Sequence, residues 1–170
     1  MSTVVHKVTF QKRESVNTPD YDPLVWLINP DHTDVPIRHV RLNEAKDNLE
    51  LKSEAERLAA DEMYFGIQKA EYIEFLRGEF QTHRERRYEL DTLLYAQYLL
   101  FQAAVNMNED VIEYLTPLAE WVVDGDKLVR EAEKQALAAS SEEELKAVSI
   151  DFSEWLGADP GISVRFAEDM

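Results

Sequence analysis

Between Ile37 and Thr116 the chain contains no proline and only two glycines, Gly66 and Gly78. A stretch so free of breakers is cheapest as helix, since an interior proline costs about 3 kcal/mol and an interior glycine about 1 kcal/mol. The prolines cluster ahead of it, at Pro19, Pro23, Pro30 and Pro36, and only Pro117 and Pro160 follow. This distribution predicts a mainly α (α+β) fold. About five to six helices would form a bundle behind a small N-terminal β-meander. At 170 residues, 45% of them hydrophobic, the chain suits one domain with a real core. We expect a single domain over 1–170, with a β-rich subregion at 1–43 and a helical region at 44–170.

The β-rich segment reads as strands. Val4, Val8 and Phe10 alternate with Val5, Lys7 and Thr9, a period near two. Leu24 to Ile28 is an apolar run between Pro23 and Asn29-Pro30, as a buried strand between turns would be. Val35 to Leu42 is a third candidate whose apolar phase slips between Ile37 and Val40.

Helix signals dominate after Asn43. Ser53-Glu54-Ala55-Glu56 has capping-box spacing and opens a helix that Gly78 could end or bend. The segment Glu85 to Met107 reads as the next helix. It is apolar on nearly all faces between Leu93 and Phe101, which predicts burial in a bundle or at a subunit interface. Leu94, Tyr98, Leu99 and Phe101 are its candidate oligomer contacts. Asn108 caps a short helix to Leu115, and Thr116-Pro117 marks a second start or a kink. Asp124-Gly125-Asp126 predicts a stop and restart, and Ser141 and Asp151 open further short helices. The alternation from Ile162 to Phe166 suggests a final strand. Trp26, Trp121 and Trp155 read as separate packing anchors.

Charge is unevenly spread. The net charge is −16, from 34 acidic and 18 basic residues. Residues 1–43 are neutral, residues 44–90 carry −4 and residues 91–170 carry −12. Such a surplus argues against unaided binding to a phosphate backbone, which needs clustered Lys and Arg, so no direct nucleic-acid binding is expected. Some of the acidity has a local reason, because helix first turns favour Asp and Glu. The rest predicts an acidic interaction face built from Glu109, Asp110, Glu113, Glu120, Asp124, Asp126, Glu131, Glu133, Glu142, Glu143 and Glu144.

The motifs for other chemistries are thin. Cysteine is absent, which removes disulfides and zinc–thiolate sites. His32, Asp34 and His39 could offer imidazole and carboxylate to a divalent metal, yet they lack a full ligand set at recognisable spacing. The only helical histidine, His83, has Phe80 three residues before it, which breaks the Glu-x-x-His pattern of a di-iron bundle. No Gly-rich phosphate loop and no Gly-x-Ser-x-Gly elbow occurs. Arg77, His83, Arg84, Arg86 and Arg87 form the one basic cluster. Interleaved Glu79, Glu85, Glu89 and Asp91 predict that it is self-neutralised, with Arg87 and Asp91 as an i,i+4 pair. The N-terminus lacks a secretory pattern, and the uncharged run Thr92–Asn108 is short for a membrane span, so a cytoplasmic protein without a membrane contact is expected.

These readings favour a non-enzymatic acidic protein without a cofactor. Its C-terminal helices would meet a partner protein with a basic surface, as an inhibitor imitating DNA charge or as an assembly factor. The composition suits a phage or mobile-element accessory protein. A second reading is an assembly subunit that forms a homo-oligomer through helix 90–107. A third is a small metal-dependent enzyme or ligand-binding domain with its site near His32, Asp34 and His39.

Overall fold

A computed structural model describes residues 2–16, 26–168 and 170. It is mostly helical, with small antiparallel sheets at the N-terminal end. The chain divides into two compact units, Met1–Gly66 and Ile67–Met170.

The first unit begins with β1 (Ser2–His6), β2 (Lys12–Val16) and β3 (Trp26–Ile28), arranged β2-β1-β3 with both pairings antiparallel. β1 is therefore central, and its Val4 and Val5 are buried. Leu24 and Val25, the start of the expected second strand, lie outside the described residues. The alternation expected through Phe10 stops at His6. There the His6 Nδ1 accepts bonds from the backbone N–H groups of Val8 (3.3 Å) and Thr9 (3.1 Å), and Phe10 takes a positive φ of 55°. Val8 is consequently exposed in a turn, and the returning strand is the charged Lys12–Val16, which carries little hydrophobic signal.

The third candidate strand proves to be shorter. A 3₁₀ turn occupies Ile37–His39, and β4 (Val40–Leu42) pairs with β5 (Leu49–Leu51), a strand where helix was expected from residue 44 on, with Arg41 opposite Glu50 and ion-paired to it at 2.6 Å. Val5, Leu27, Val40 and Leu49 form this unit's core. Helix α1 (Glu54–Glu85) then starts at the capping box. The Glu56 carboxylate accepts from the Ser53 N–H at 2.8 Å, and the Ser53 hydroxyl accepts from the Glu56 N–H at 3.3 Å.

In the second unit α1 continues straight through Gly78, so that residue neither ends nor breaks it. A turn at 86–89 separates α1 from α2 (Leu90–Asn106), without any glycine or proline to announce it. Tyr88 fixes this turn. Its ring is buried, its hydroxyl donates to Asp159 at 2.9 Å, and the same oxygen accepts from the Ile162 N–H at 2.9 Å. Burial, and then the bond to Asp159, push the phenol up to about 12.

Helix α3 (Glu109–Ala138) corrects two expectations at once. Pro117 sits inside it, and Asp124-Gly125-Asp126 does not interrupt it. Its buried residues Val111, Leu115, Leu118, Trp121, Gly125, Val129, Ala132 and Ala136 recur at intervals of three and four. That unbroken stripe outweighs the roughly 3 kcal/mol cost of one interior proline, since each large buried side chain is worth about 1.5–3 kcal/mol. Asn108 caps α3 as expected, accepting from the Val111 N–H at 3.4 Å. Three short helices follow: α4 (Glu142–Ala147), α5 (Ser153–Gly157) and α6 (Val164–Ala167). The last stands where a strand was expected, with Val164 and Ala167 buried at helical i,i+3 spacing.

The centre of this unit is an indole pair. Trp121 and Trp155 stack with centroids 4.3 Å apart at 12°. Each ring N–H donates to the other residue's carbonyl, Trp121 to Trp155 at 2.9 Å and Trp155 to Trp121 at 2.7 Å. Phe80 and Phe152 pack against Trp155. Gly125 makes this possible: a Cβ there would lie 2.5 Å from the Phe80 ring and 2.7 Å from the Trp155 ring. Among the described residues no helix is long and apolar enough to cross a membrane.

Two glycine substitutions should therefore move stability in opposite directions. Gly125→Ala gains helix propensity but forces a methyl into two packed rings, for a net loss of about 1–2 kcal/mol. At Gly78 an added Cβ meets nothing within 4 Å, so Gly78→Ala should gain about 0.5–1 kcal/mol. Urea unfolding of both variants checks the pair. Alkaline titration should also find one tyrosine near pH 12. Its neutral form is favoured by folding, so that contribution is full below pH 10 and lost as pH rises through about 12.

Candidate functional site

Helix α3 buries one stripe, and its opposite side carries the acidic residues singled out above. Glu109, Glu113, Glu120, Asp124 and Glu131 are exposed and separated by four, seven, four and seven residues. At about 100° per residue these intervals keep all five on one line of the helix, spanning roughly 33 Å. Lys127 and Lys134 share the line and are paired to Asp124 (2.7 Å) and Glu131 (3.4 Å). Asp110 is exposed beside it.

Three of the remaining expected members, Glu133, Glu142 and Glu144, are engaged elsewhere. Glu133 turns toward α1, where it accepts from Arg77 Nε at 2.6 Å. Asp126 lines a shallow cleft with Arg77, Arg84 and Arg130. Glu142 accepts from Lys146 (3.3 Å) and from Gln68 (3.3 Å). Glu144 accepts from the Ser140 N–H (2.6 Å) and hydroxyl (2.7 Å), bonds that hold its carboxyl below the usual range. Glu143 remains exposed. Pairing or capping thus engages Glu133, Glu142 and Glu144, as Lys127 and Lys134 engage Asp124 and Glu131 on the line itself.

Two acidic residues absent from the expected set join it instead. Asp151 and Glu154 stand with Glu120 and Asp124 around a cleft of about 600 Å³. Its walls include Pro117, Leu128 and Pro160, and Trp121 and Trp155 form its floor. The indole N–H groups are already satisfied by each other's backbone, so the floor is apolar. Asp151 accepts from the Ser153 N–H at 2.9 Å, and its bonds to Ser153 hold it below the ordinary carboxylate value, ionised at neutral pH. Among the described residues Lys127 is the one cation lining the cleft, and it is tied to Asp124. Four carboxylates around an apolar floor suit a guanidinium or ammonium carried on an alkyl stem. Sequence spacing could not have found Asp151 and Glu154, because tertiary packing around Trp121 and Trp155 brings α5 to α3.

The other expected constellations resolve differently. Among the described residues no three His, Asp or Glu gather as metal ligands. His39 bonds Asp61 through Nε2 at 2.7 Å, and Arg38 bonds the same carboxylate, while His32 sits in a turn with a positive φ of 57°. No pattern linked Asp61 to His39 in the sequence, for they are 22 residues apart. The basic cluster does not pair with the acids interleaved in it: two of its arginines meet carboxylates from outside that set. Arg77 pairs with Glu74 and Glu133, Arg84 lies over the Phe80 ring, and Arg87 meets Asp159 at 3.7 Å. The 86–89 turn breaks the helix between Arg87 and Asp91, so their i,i+4 geometry does not arise. On α2, Leu94, Tyr98 and Phe101 are exposed together, whereas Leu99 packs against both core clusters of this unit.

No protein-family model, no curated protein and no solved structure matches the chain.

Acid should destabilise the fold through the caps. Glu56, Glu144 and Asp151 are all held below their ordinary values of 4.5, 4.5 and 3.8. Folding therefore gains from their ionisation above those values, and the gain is lost as pH falls through the lowered ones. The urea midpoint should drop from about pH 4.5 downward, less steeply in Asp151→Asn.

Proposed function

We propose that the protein is a non-enzymatic binding module that engages a basic protein surface through the exposed acidic line of α3, with the cleft over the two tryptophans as its anchor. The observation that carries this reading is the meeting of Glu120, Asp124, Asp151 and Glu154 around that apolar-floored cleft. A basic side chain entering it would place its alkyl stem on an apolar floor and its charge among carboxylates, while the flanking Glu109, Glu113 and Glu131 would steer the encounter. Occupying a partner's basic site in this way would block it, or would hold the partner in an assembly.

The geometry favours recognition of a basic protein over imitation of a duplex. Five carboxylates over roughly 33 Å, interspersed with two lysines, are sparser than one phosphate per 3.4 Å along a DNA strand.

Affinity capture on the immobilised chain tests the reading, with Glu120→Lys/Asp124→Lys as the parallel column. Basic proteins should be retained by the first and lost from the second. Retention should weaken steeply between about 0.05 and 0.5 M salt, as screening shortens the reach of the charges. Identical capture on both columns, or binding indifferent to salt, would sink it.

A further inference from the structure

Between α1 and α3 the chain gathers arginines, against the sign of the molecule as a whole. Arg77, Phe80 and Arg84 fall on one face of α1, at intervals of three and four residues. Opposite them Asp126, Arg130 and Glu133 share a face of α3, at intervals of four and three. Together they line a shallow cleft of about 350 Å³.

Arg77 is fully engaged, its Nε bonded to Glu133 and one Nη to Glu74, both at 2.6 Å. Arg84 and Arg130 differ from it. Among the described residues neither has a carboxylate within ion-pair distance, and the Arg84 Nε is shut from solvent without an acceptor. A buried donor left unmet is costly, and an acceptor entering the cleft would draw the guanidinium toward it. The Arg84 guanidinium carbon lies 5.6 Å from the centroid of the Phe80 ring. Phe80 is itself buried against Phe152 and Trp155. A guanidinium stacked on a fixed ring is positioned in advance, so it loses little freedom on taking a ligand.

Charge and shape select that ligand. Guanidinium forks match planar oxyanions. Asp126, also without an ion pair among the described residues, offsets one of the two unengaged arginines. One positive charge is left, in a chain of net −16. A singly charged carboxylate meets it, whereas a phosphate dianion would bring a second negative charge against Asp126 and Glu133. Phe80 and Val129 add an apolar wall for an alkyl stem. A shallow cleft holds the end of one side chain, while small-molecule sites enclose most of their ligand.

We propose that this cleft takes one acidic side chain of a bound protein, its carboxylate bridging Arg84 of α1 and Arg130 of α3. The contact lies on a different flank of α3 from the cleft over the two tryptophans and does not depend on that cleft's role.

Nitrogen NMR of the guanidinium groups in the full chain tests the proposal, with N-acetylglutamate methylamide as the probe. The probe should shift the Arg84 and Arg130 signals saturably, with a dissociation constant on the order of millimolar. Arg130→Gln, an exposed substitution, should keep the helical circular dichroism and weaken binding read at Arg84 about tenfold. Asp126→Asn, which removes the like charge, should strengthen it. The absence of a saturable shift overturns the proposal, as does an equal response to the glutamine analogue or undiminished binding by Arg130→Gln. Tighter binding of inorganic phosphate than of the glutamate probe overturns the choice of a carboxylate.

Discussion

The second unit is organised around the reciprocal contact between Trp121 and Trp155. Two indoles buried against each other would strand two N–H donors unless each found an acceptor, and an unmet buried donor costs about 1–3 kcal/mol. Each finds it on the other residue's backbone, so the stack and the two hydrogen bonds hold or fail together. That requirement brings the short helix α5 to the middle of α3. It also explains Gly125, where an added Cβ would enter the Phe80 and Trp155 rings.

The candidate site is a by-product of that packing. The same pair floors the cleft and aligns Asp151 and Glu154 of the α5 region with Glu120 and Asp124 of α3. The net charge of −16 therefore separates into groups with different work. Glu56, Glu144 and Asp151 satisfy helix ends, Glu133 and Asp159 meet arginines across elements, and the α3 line stays open to solvent. Asp151 belongs to two groups at once, since it accepts from the Ser153 N–H at the start of α5 and lines the cleft.

Helix α2 shows the same division of labour in apolar residues. Its sequence looks hydrophobic all round, but burial selects only Leu93, Ala96 and Ala103, with Leu99 and Leu100 packed partly against the core. The side facing away keeps a regular line of large side chains. Alanines at the buried positions let α2 approach closely, and the bulk is carried outward.

Much of the architecture was legible in the residues themselves. The breaker-free stretch predicted a helical protein behind a small β region, and Ser53-x-x-Glu56 and Asn108 marked real helix starts, because caps depend on bonds within three residues. The acidic residues of α3 were readable as charges, but their alignment on one line was not, because Thr116-Pro117 and Asp124-Gly125-Asp126 predicted breaks between them. What failed depended on distant partners. Pro117 and Asp124-Gly125-Asp126 signal breaks locally, yet α3 runs through them because its long buried stripe outweighs those local costs. The turn at 86–89 carries no local signal, and Tyr88 is held there by Asp159 and Ile162, more than seventy residues away. Residues 162–166 alternate like a strand, but among the described residues no strand pairs with them, and Val164–Ala167 coil as α6 against α2 and α3. Sequence by itself determined where backbone groups are satisfied locally and which faces are charged. Only the tertiary structure decided which breaks are tolerated and which carboxylates converge, because those outcomes rest on burial and on bonds between residues far apart in the chain.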